Sequence, residues 1–161
     1  MIKERNYTDF DYLQRFGLSL DLMGFNTEIV EIPDIPLSVE FKILGYEDMP
    51  IDAVAMFLPV PQDVQDQVSI FQIYISLYDE ELSITQFLDL ENLCNHFNTN
   101  GAVGCYGVQE ELGRICYKHS LIIRNEIDIQ TALQLSVDAL ILMSLSLDKT
   151  YQTLFNKLQS Y

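Results

Sequence analysis

The pattern of apolar and polar residues divides the chain into helix-like and strand-like segments. Near the N-terminus, "YTDFDYLQRFGLSLDLMGF" places apolar residues at intervals of three and four, which is the spacing of one helix face. Thr8 and Asp11 have the spacing of a capping box at the start of this helix, and Gly24 suits its end. The predicted apolar stripe consists of Phe10, Leu13, Phe16, Leu20 and Met23.

Strict alternation then predicts β-strands. In "LSVEFKI" every second residue is apolar, which is typical of a strand with one buried face. The segments "TEIVEI" and "IDAVAMFLPV" and the long run "QVSIFQIYISLY" have strand-like composition, and prolines punctuate the ends of several of them. Because these segments follow one another closely, an antiparallel meander is expected.

The second half of the chain begins with helical spacing, continues with strand-like segments and ends with helical spacing again. The segment "SITQFLDLENLCNHF" predicts a middle helix that ends at "NTNG". Two strands, "AVGCYGV" and "RICYKHSLIIR", flank the acidic turn "QEELG", which is typical of a hairpin. A long helix is predicted from about Asp128 to Leu158.

This last helix is apolar on two sides. One stripe comprises Ile129, Leu133, Val137, Leu140, Leu147, Tyr151, Leu154 and Leu158. A second stripe comprises Leu135, Ala139, Leu142 and Met143. A helix with so much apolar circumference needs more cover than one sheet, so the first helix or a second subunit should cover the rest. The residues expected in the core are Leu37, Val39, Phe41, Ile43, Leu133, Val137 and Leu140.

The composition limits the classes of function. The chain has 161 residues, of which 48% are apolar and 20% charged, and we expect one α+β domain over residues 1–161. The net charge is −15, and no lysine or arginine occurs from Ile43 to Gly113. Nucleic acid is therefore not an expected partner. The acidic surface either keeps the protein soluble or steers a basic partner towards it.

The sequence also predicts a soluble, cytoplasmic protein without a membrane partner. No apolar segment of the kind found in secretory signals follows the early charges. The most apolar run, "VDALILMSLSL", is shorter than the ~20 residues of a membrane span and contains Asp138. Three cysteines do not form a full set of internal disulfides, which favours a reducing compartment.

All cysteines and histidines lie between Leu90 and Ser120, which raises the question of a metal or thiol site. Cys116 and His119 are three apart on a predicted strand, so their side chains point to opposite faces. Cys94 and His96 are two apart on a predicted helix and diverge. Buried apolar cysteines are therefore expected, although a cross-strand pair of Cys105 with Cys116 stays open. No metal and no cofactor are predicted.

Motifs for catalysis do not occur in the chain. It contains no G-x-S-x-G, no Walker loop and no G-x-G-x-x-G. The two glycines in "GCYG" stand in a strand, where room for a neighbouring chain explains them better than a phosphate site does. We therefore do not expect an enzyme.

The order of the predicted elements, α-βββ(β)-α-ββ-α, resembles the type III secretion chaperone-like fold. The segment from about Phe87 to Phe155 resembles the YbjN-type bacterial family, through a helix that ends in Asn and Gly, an acidic turn with Gly-Arg, a strand like "ICYKHSLII" and a long closing helix. The resemblance implies an α+β fold, a homodimer and a chaperone- or adaptor-like role. It brings no catalytic motif with it.

Two functions are therefore considered. The first is a non-enzymatic module that holds an extended segment of a partner protein against a sheet edge or an apolar groove. The alternative is a sensor of a small molecule or ion, with a pocket between the C-terminal helix and the sheet. For the homodimer, the middle helix supplies the candidate interface residues Ile84, Phe87, Leu88, Leu90, Leu93 and Phe97.

Overall fold

A computed structural model describes residues 5–45, 48–79, 82–109 and 113–161. Its three helices are α1 (Asp9–Leu22), α2 (Ile84–Asn100) and α3 (Ile129–Gln159). Its six strands are β1 (Thr27–Val30), β2 (Ser38–Leu44), β3 (Pro50–Leu58), β4 (Val68–Asp79), β5 (Cys105–Gln109) and β6 (Arg114–Arg124). The fold is α+β with the predicted element order α-βββ(β)-α-ββ-α. The predicted turn "QEELG" falls largely on residues 110–112, which lie outside the described residues.

The six strands form one antiparallel sheet in the order β1-β2-β3-β4-β6-β5. The first four strands form the predicted meander, because short connections favour pairing between neighbours. The β5–β6 hairpin then joins the sheet through β6, which pairs with β4 along nearly its whole length. One register shift interrupts this pairing, between Ser76 and Tyr78. Strand β4 is thus the link between the two halves of the chain.

All three helices cover the same face of the sheet. In β2 the residues Val39, Phe41 and Ile43 are buried, while the intervening Glu40 and Lys42 are exposed. The buried strand residues share one apolar core with residues of α1, α2 and α3. Because strand side chains alternate between faces, the opposite face of the sheet has no helix over it in the described part of the chain.

Helix α1 begins and ends as its sequence predicts. The Thr8 side chain accepts a hydrogen bond from the Asp11 backbone N–H, and the Asp11 side chain accepts one from the Thr8 backbone. Gly24 follows the helix with a φ of 94°, which favours glycine. The predicted stripe was too long, however: Phe10 and Met23 are exposed, whereas Tyr12 is fully buried beside Leu13 and Phe16.

Helix α3 packs its predicted first stripe into the core, with Asp128 as its N-cap. Leu133 and Leu140 are buried as expected, while Leu37 and Val137 are half-buried and pack against the core. The second stripe divides: Ala139 and Met143 are buried, whereas Leu135 and Leu142 are exposed. Ala132 and Ser136 of α3 contact Tyr12 of α1.

Candidate functional site

The face of the sheet without helices has an apolar centre, and we call this surface the open face. It comprises the outward side chains of the six strands, and its apolar members include Val54, Met56, Leu58, Ile70, Tyr74 and Ile122. Leu58 lies opposite Ile70, and Ile70 lies opposite Ile122, so these three form one row across three strands. Ile122 is 71% exposed, whereas Leu58 and Ile70 are half-buried. An apolar row of this kind on an uncovered face is typical of a contact surface.

A shallow pocket of about 530 Å³ adjoins this apolar centre. Its walls include Glu28 from β1, Glu40 from β2, Val54 from β3 and Tyr74 from β4. The pocket thus opens on the face that points away from α3. The sensor hypothesis requires a pocket between the C-terminal helix and the sheet, and this pocket is not in that position.

Two glutamates of the pocket occupy directly opposed positions on neighbouring strands. Glu28 of β1 is the cross-strand partner of Glu40 in β2, and both side chains are exposed. Like charges placed opposite one another in a sheet are destabilising. The neighbouring Lys42 forms an ion pair with Asp52, with its Nζ 3.4 Å from Oδ1, and Arg114 also lines the pocket. The Glu28–Glu40 pair therefore forms a negative corner beside the apolar centre.

Both edges of the sheet are partly closed by side chains. At the β1 edge, the Asp21 carboxylate accepts hydrogen bonds from the backbone N–H of Thr27 (3.0 Å) and from its hydroxyl (2.8 Å). At the β5 edge, the Asn98 amide bonds both backbone groups of Tyr106, donating to its carbonyl at 2.8 Å and accepting from its N–H at 2.6 Å. These hydrogen bonds use backbone groups of the edge strands that would otherwise be free to pair with another strand.

The three cysteines are unpaired and differ in exposure. Cys94 and Cys116 are buried and Cys105 is exposed, and all three are free. Cys105 lies opposite Lys118 whereas Cys116 lies opposite Gly107, so these two cysteines are not a direct cross-strand pair. Burial, together with the neighbouring Cys116 and Cys105, raises the pKa of Cys94 to about 12, which leaves its thiol protonated and unreactive at neutral pH.

The histidines are separated from the cysteines, as their spacing predicts. His119 lies opposite Ile73 on the helix side of the sheet, and burial lowers its pKa, so its imidazole is neutral at pH 7. His96 is exposed on α2 while Cys94 is buried. Within the described ranges, no three His, Cys, Asp or Glu side chains come together as a metal would require.

The candidate interface residues of α2 have three different environments. Leu90 and Phe97 are buried in the core of the chain itself, and the Phe97 ring packs on Tyr106 with ring centroids 5.2 Å apart. Phe87 and Leu93 are half-buried. The two that remain exposed are Ile84 and Leu88. A second copy could therefore contact α2 mainly through its first two turns.

Helix α2 is fixed to the end of α3 by a polar contact. The Lys157 ammonium lies 3.0 Å from the Asp89 carboxylate, which also accepts a hydrogen bond from the Tyr161 hydroxyl at 3.2 Å. These bonds hold the pKa of Asp89 below its usual value. A groove of about 590 Å³ lies between the two helices at this point. We interpret the contact as structural, because each of its charges already has a partner within the chain.

Sequence reasoning missed the open face, although a signal for it exists. Segments such as "AVAMFL" and "SLIIR" keep apolar residues on both sides of a strand, whereas a strand with one solvated face alternates with polar residues. Val54, Met56 and Ile122 are the residues that break the alternation. The sequence did not indicate that no helix in the described part of the chain covers these residues.

Comparison with known proteins identifies no relative: no protein-family model, no curated protein and no solved structure matches the chain. The class that the structure defines is an α+β protein with a six-stranded antiparallel sheet and three helices on one face.

Proposed function

We propose that the chain is a non-enzymatic, cytoplasmic protein-binding module whose open face holds an extended segment of a partner protein. The observation that carries this proposal is the uncovered apolar row of Leu58, Ile70 and Ile122, which leads to the pocket beside Glu28 and Glu40. Ile122 is the exposed member of this row, and Leu58 and Ile70 extend its apolar surface as half-buried neighbours. An apolar patch of this kind on a soluble protein commonly marks a binding surface.

The edges of the sheet are less suited to this role than its face. A partner strand added to β1 or β5 would have to displace the hydrogen bonds that Asp21 and Asn98 make with the edge backbone. Strand β1 is also only four residues long, and short edge strands are a common protection against strand pairing. The open face requires no such displacement.

Charge indicates the chemistry of the partner segment. Apolar side chains of the segment would cover Val54, Met56 and Ile122, and a lysine or arginine would lie between Glu28 and Glu40 and relieve their repulsion. The net charge of −15 would favour the approach of such a basic segment. A chaperone- or adaptor-like role agrees with the resemblance to the YbjN-type family and to the secretion chaperone-like fold.

A selection from a displayed library of random peptides tests the proposal. We expect the selected peptides to combine apolar residues with lysine or arginine. In fluorescence anisotropy with a selected peptide, Ile122→Asp should weaken binding strongly, because it places a charge in the apolar row. Glu40→Lys should weaken binding about fivefold or more, since it replaces attraction by repulsion.

The variant Glu91→Lys is the matched control, because it makes the same charge change at an exposed position of α2. The fold itself should tolerate Glu40→Lys, which exchanges a like-charge pair for an opposite-charge pair with Glu28. Selection of acidic peptides would contradict the proposal, as would equal losses of affinity from Glu40→Lys and Glu91→Lys.

A further inference from the structure

The outer side of α3 carries a regular stripe that nothing in the described chain covers. Its members are Leu135, Asp138, Leu142, Leu145 and Lys149, and we call them the outer stripe. Their spacing of three, four, three and four residues is that of the a and d positions of a coiled coil. Leu142 is 50% exposed and Leu145 is 56% exposed. The core side of the same helix is already occupied by the sheet and by α1.

Two kinds of occupant suit an apolar helix surface, namely lipid and protein. By length and hydropathy α3 could cross a membrane, and 33% of its most apolar window is buried in the domain. The outer stripe, however, contains Asp138 and Lys149, and charged side chains are costly in hydrocarbon. A protein partner can pair these charges instead.

The charges of the outer stripe are placed so that its part from Asp138 to Lys149 is complementary to itself. The midpoint between Leu142 and Leu145 is also the midpoint between Asp138 and Lys149. When two such helices pack antiparallel around a twofold axis at this midpoint, Leu142 meets the partner's Leu145 and Asp138 meets the partner's Lys149. We propose that a second copy of this chain docks antiparallel on the outer stripe of α3.

The opposite orientation is unfavourable. In a parallel pair, Asp138 would meet the partner's Asp138, and Lys149 would meet the partner's Lys149, so both charged layers would repel. In the antiparallel pair both layers attract. The charges therefore select the antiparallel orientation, while Leu142 and Leu145 supply the apolar contact. The stripe is small for a stable dimer, so the association should depend on protein concentration.

This inference uses a different surface from the open face and does not depend on the proposed function. It also differs from a dimer through α2, whose exposed apolar residues are Ile84 and Leu88. Variants at exposed positions can distinguish the α3 dimer from a dimer through α2 and from binding at the open face, because substitutions at exposed positions disturb the fold least.

Sedimentation equilibrium of the full chain and of charge variants provides the test. The wild-type chain should associate to a dimer as its concentration rises. Asp138→Lys and Lys149→Asp should each weaken the dimer roughly five- to thirtyfold, because two attractive layers become repulsive. The double variant Asp138→Lys/Lys149→Asp restores opposite charges and should return the dissociation constant to within about threefold of wild type.

The leucine variants separate the interfaces. Leu142→Asp should abolish the dimer, whereas Leu88→Asp on α2 should leave it intact. A chain that stays monomeric at every concentration would overturn the proposal, and so would a double variant that remains as weak as the single ones. Loss of the dimer with Leu88→Asp but not with Leu142→Asp would place the interface on α2. Flotation of the monomer with phosphatidylcholine vesicles, lost in Leu142→Asp, would identify lipid as the occupant.

Discussion

The hydroxyl of Tyr12 donates a 2.8 Å hydrogen bond to the backbone carbonyl of Ala132, and so joins the first and last helices across 120 positions of sequence. The same hydroxyl lies 2.6 Å from Oγ of Ser136. Tyr12 is fully buried, and burial raises its pKa, so the hydroxyl keeps its proton over the ordinary pH range. This contact fixes how α1 lies on α3.

Replacing Tyr12 with Phe should lower the free energy of unfolding by about 1–3 kcal/mol, because it removes a buried hydrogen bond and leaves polar groups unpaired. Urea denaturation measures the change. Adding Ser136→Ala to this variant should cost little more, since the two side chains form one contact. Fully additive losses would contradict the coupling.

Leu140 of α3 is 1% exposed, and its truncation to Ala should cost about 2–5 kcal/mol of unfolding free energy through a cavity in the core. Leu88→Ala is the matched control, because Leu88 is a helical leucine of α2 with an exposed side chain. The control should lose less than about 1 kcal/mol. Equal losses for the two variants would mean that Leu140 is not a core residue.

The N-cap of α3 should contribute to the acid sensitivity of the fold. The Asp128 carboxylate accepts hydrogen bonds from the Thr131 backbone N–H at 3.0 Å and from the Thr131 hydroxyl at 2.7 Å, and these bonds lower its pKa below the usual 3.8. A lowered folded-state pKa stabilises the fold at higher pH, and this stabilisation is lost as the pH falls through that pKa.

Asp128→Asn keeps a good N-cap but removes the titration. We therefore expect its Tm to fall less steeply than that of wild type as the pH drops below about 3.8. Thermal unfolding by circular dichroism measures both curves. Asp63→Asn, which removes an exposed carboxylate between β3 and β4, should follow the wild-type curve. If Asp128→Asn also follows it, the cap carboxylate does not contribute to the acid transition.

The thiols should react with iodoacetamide in a fixed order. Cys105 is exposed, whereas Cys94 and Cys116 are buried and burial raises the pKa of Cys94 to about 12. In the native protein at mildly alkaline pH, mass spectrometry should find Cys105 alkylated first. All three cysteines should react in denaturant. Early alkylation of Cys94 would show that α2 separates readily from the sheet.

Residue periodicity predicted the element order because burial of one face is a local property of each strand and helix. The alternation around Val39 and Phe41 gave the right buried face of β2, and Thr8 and Asp11 gave the right start of α1. At the ends of α1, the burial predicted from apolar periodicity was wrong. Phe10 and Met23 continue the apolar period, but the structure leaves both residues exposed.

Contacts between distant elements were not predictable from periodicity. The position of β6 beside β4 depends on pairing over about 45 residues of sequence, and no local pattern specifies that choice. Tyr12 was missed from the core because its hydroxyl marks it as partly polar, although its partner on α3 makes full burial favourable. The sequence also did not reveal which apolar residues would stay uncovered, because that depends on contacts between distant elements.

The central position of β4 has a consequence for how the chain is made. Strand β4 ends at Asp79, but β6, its neighbour on one side, is complete only at Arg124. At a synthesis rate of about 5–20 residues per second, the ribosome needs roughly 2–9 s to add the missing segment. During that interval one backbone edge of the longest strand has no native neighbour, so this edge is open to pairing with other chains before the last helix has begun.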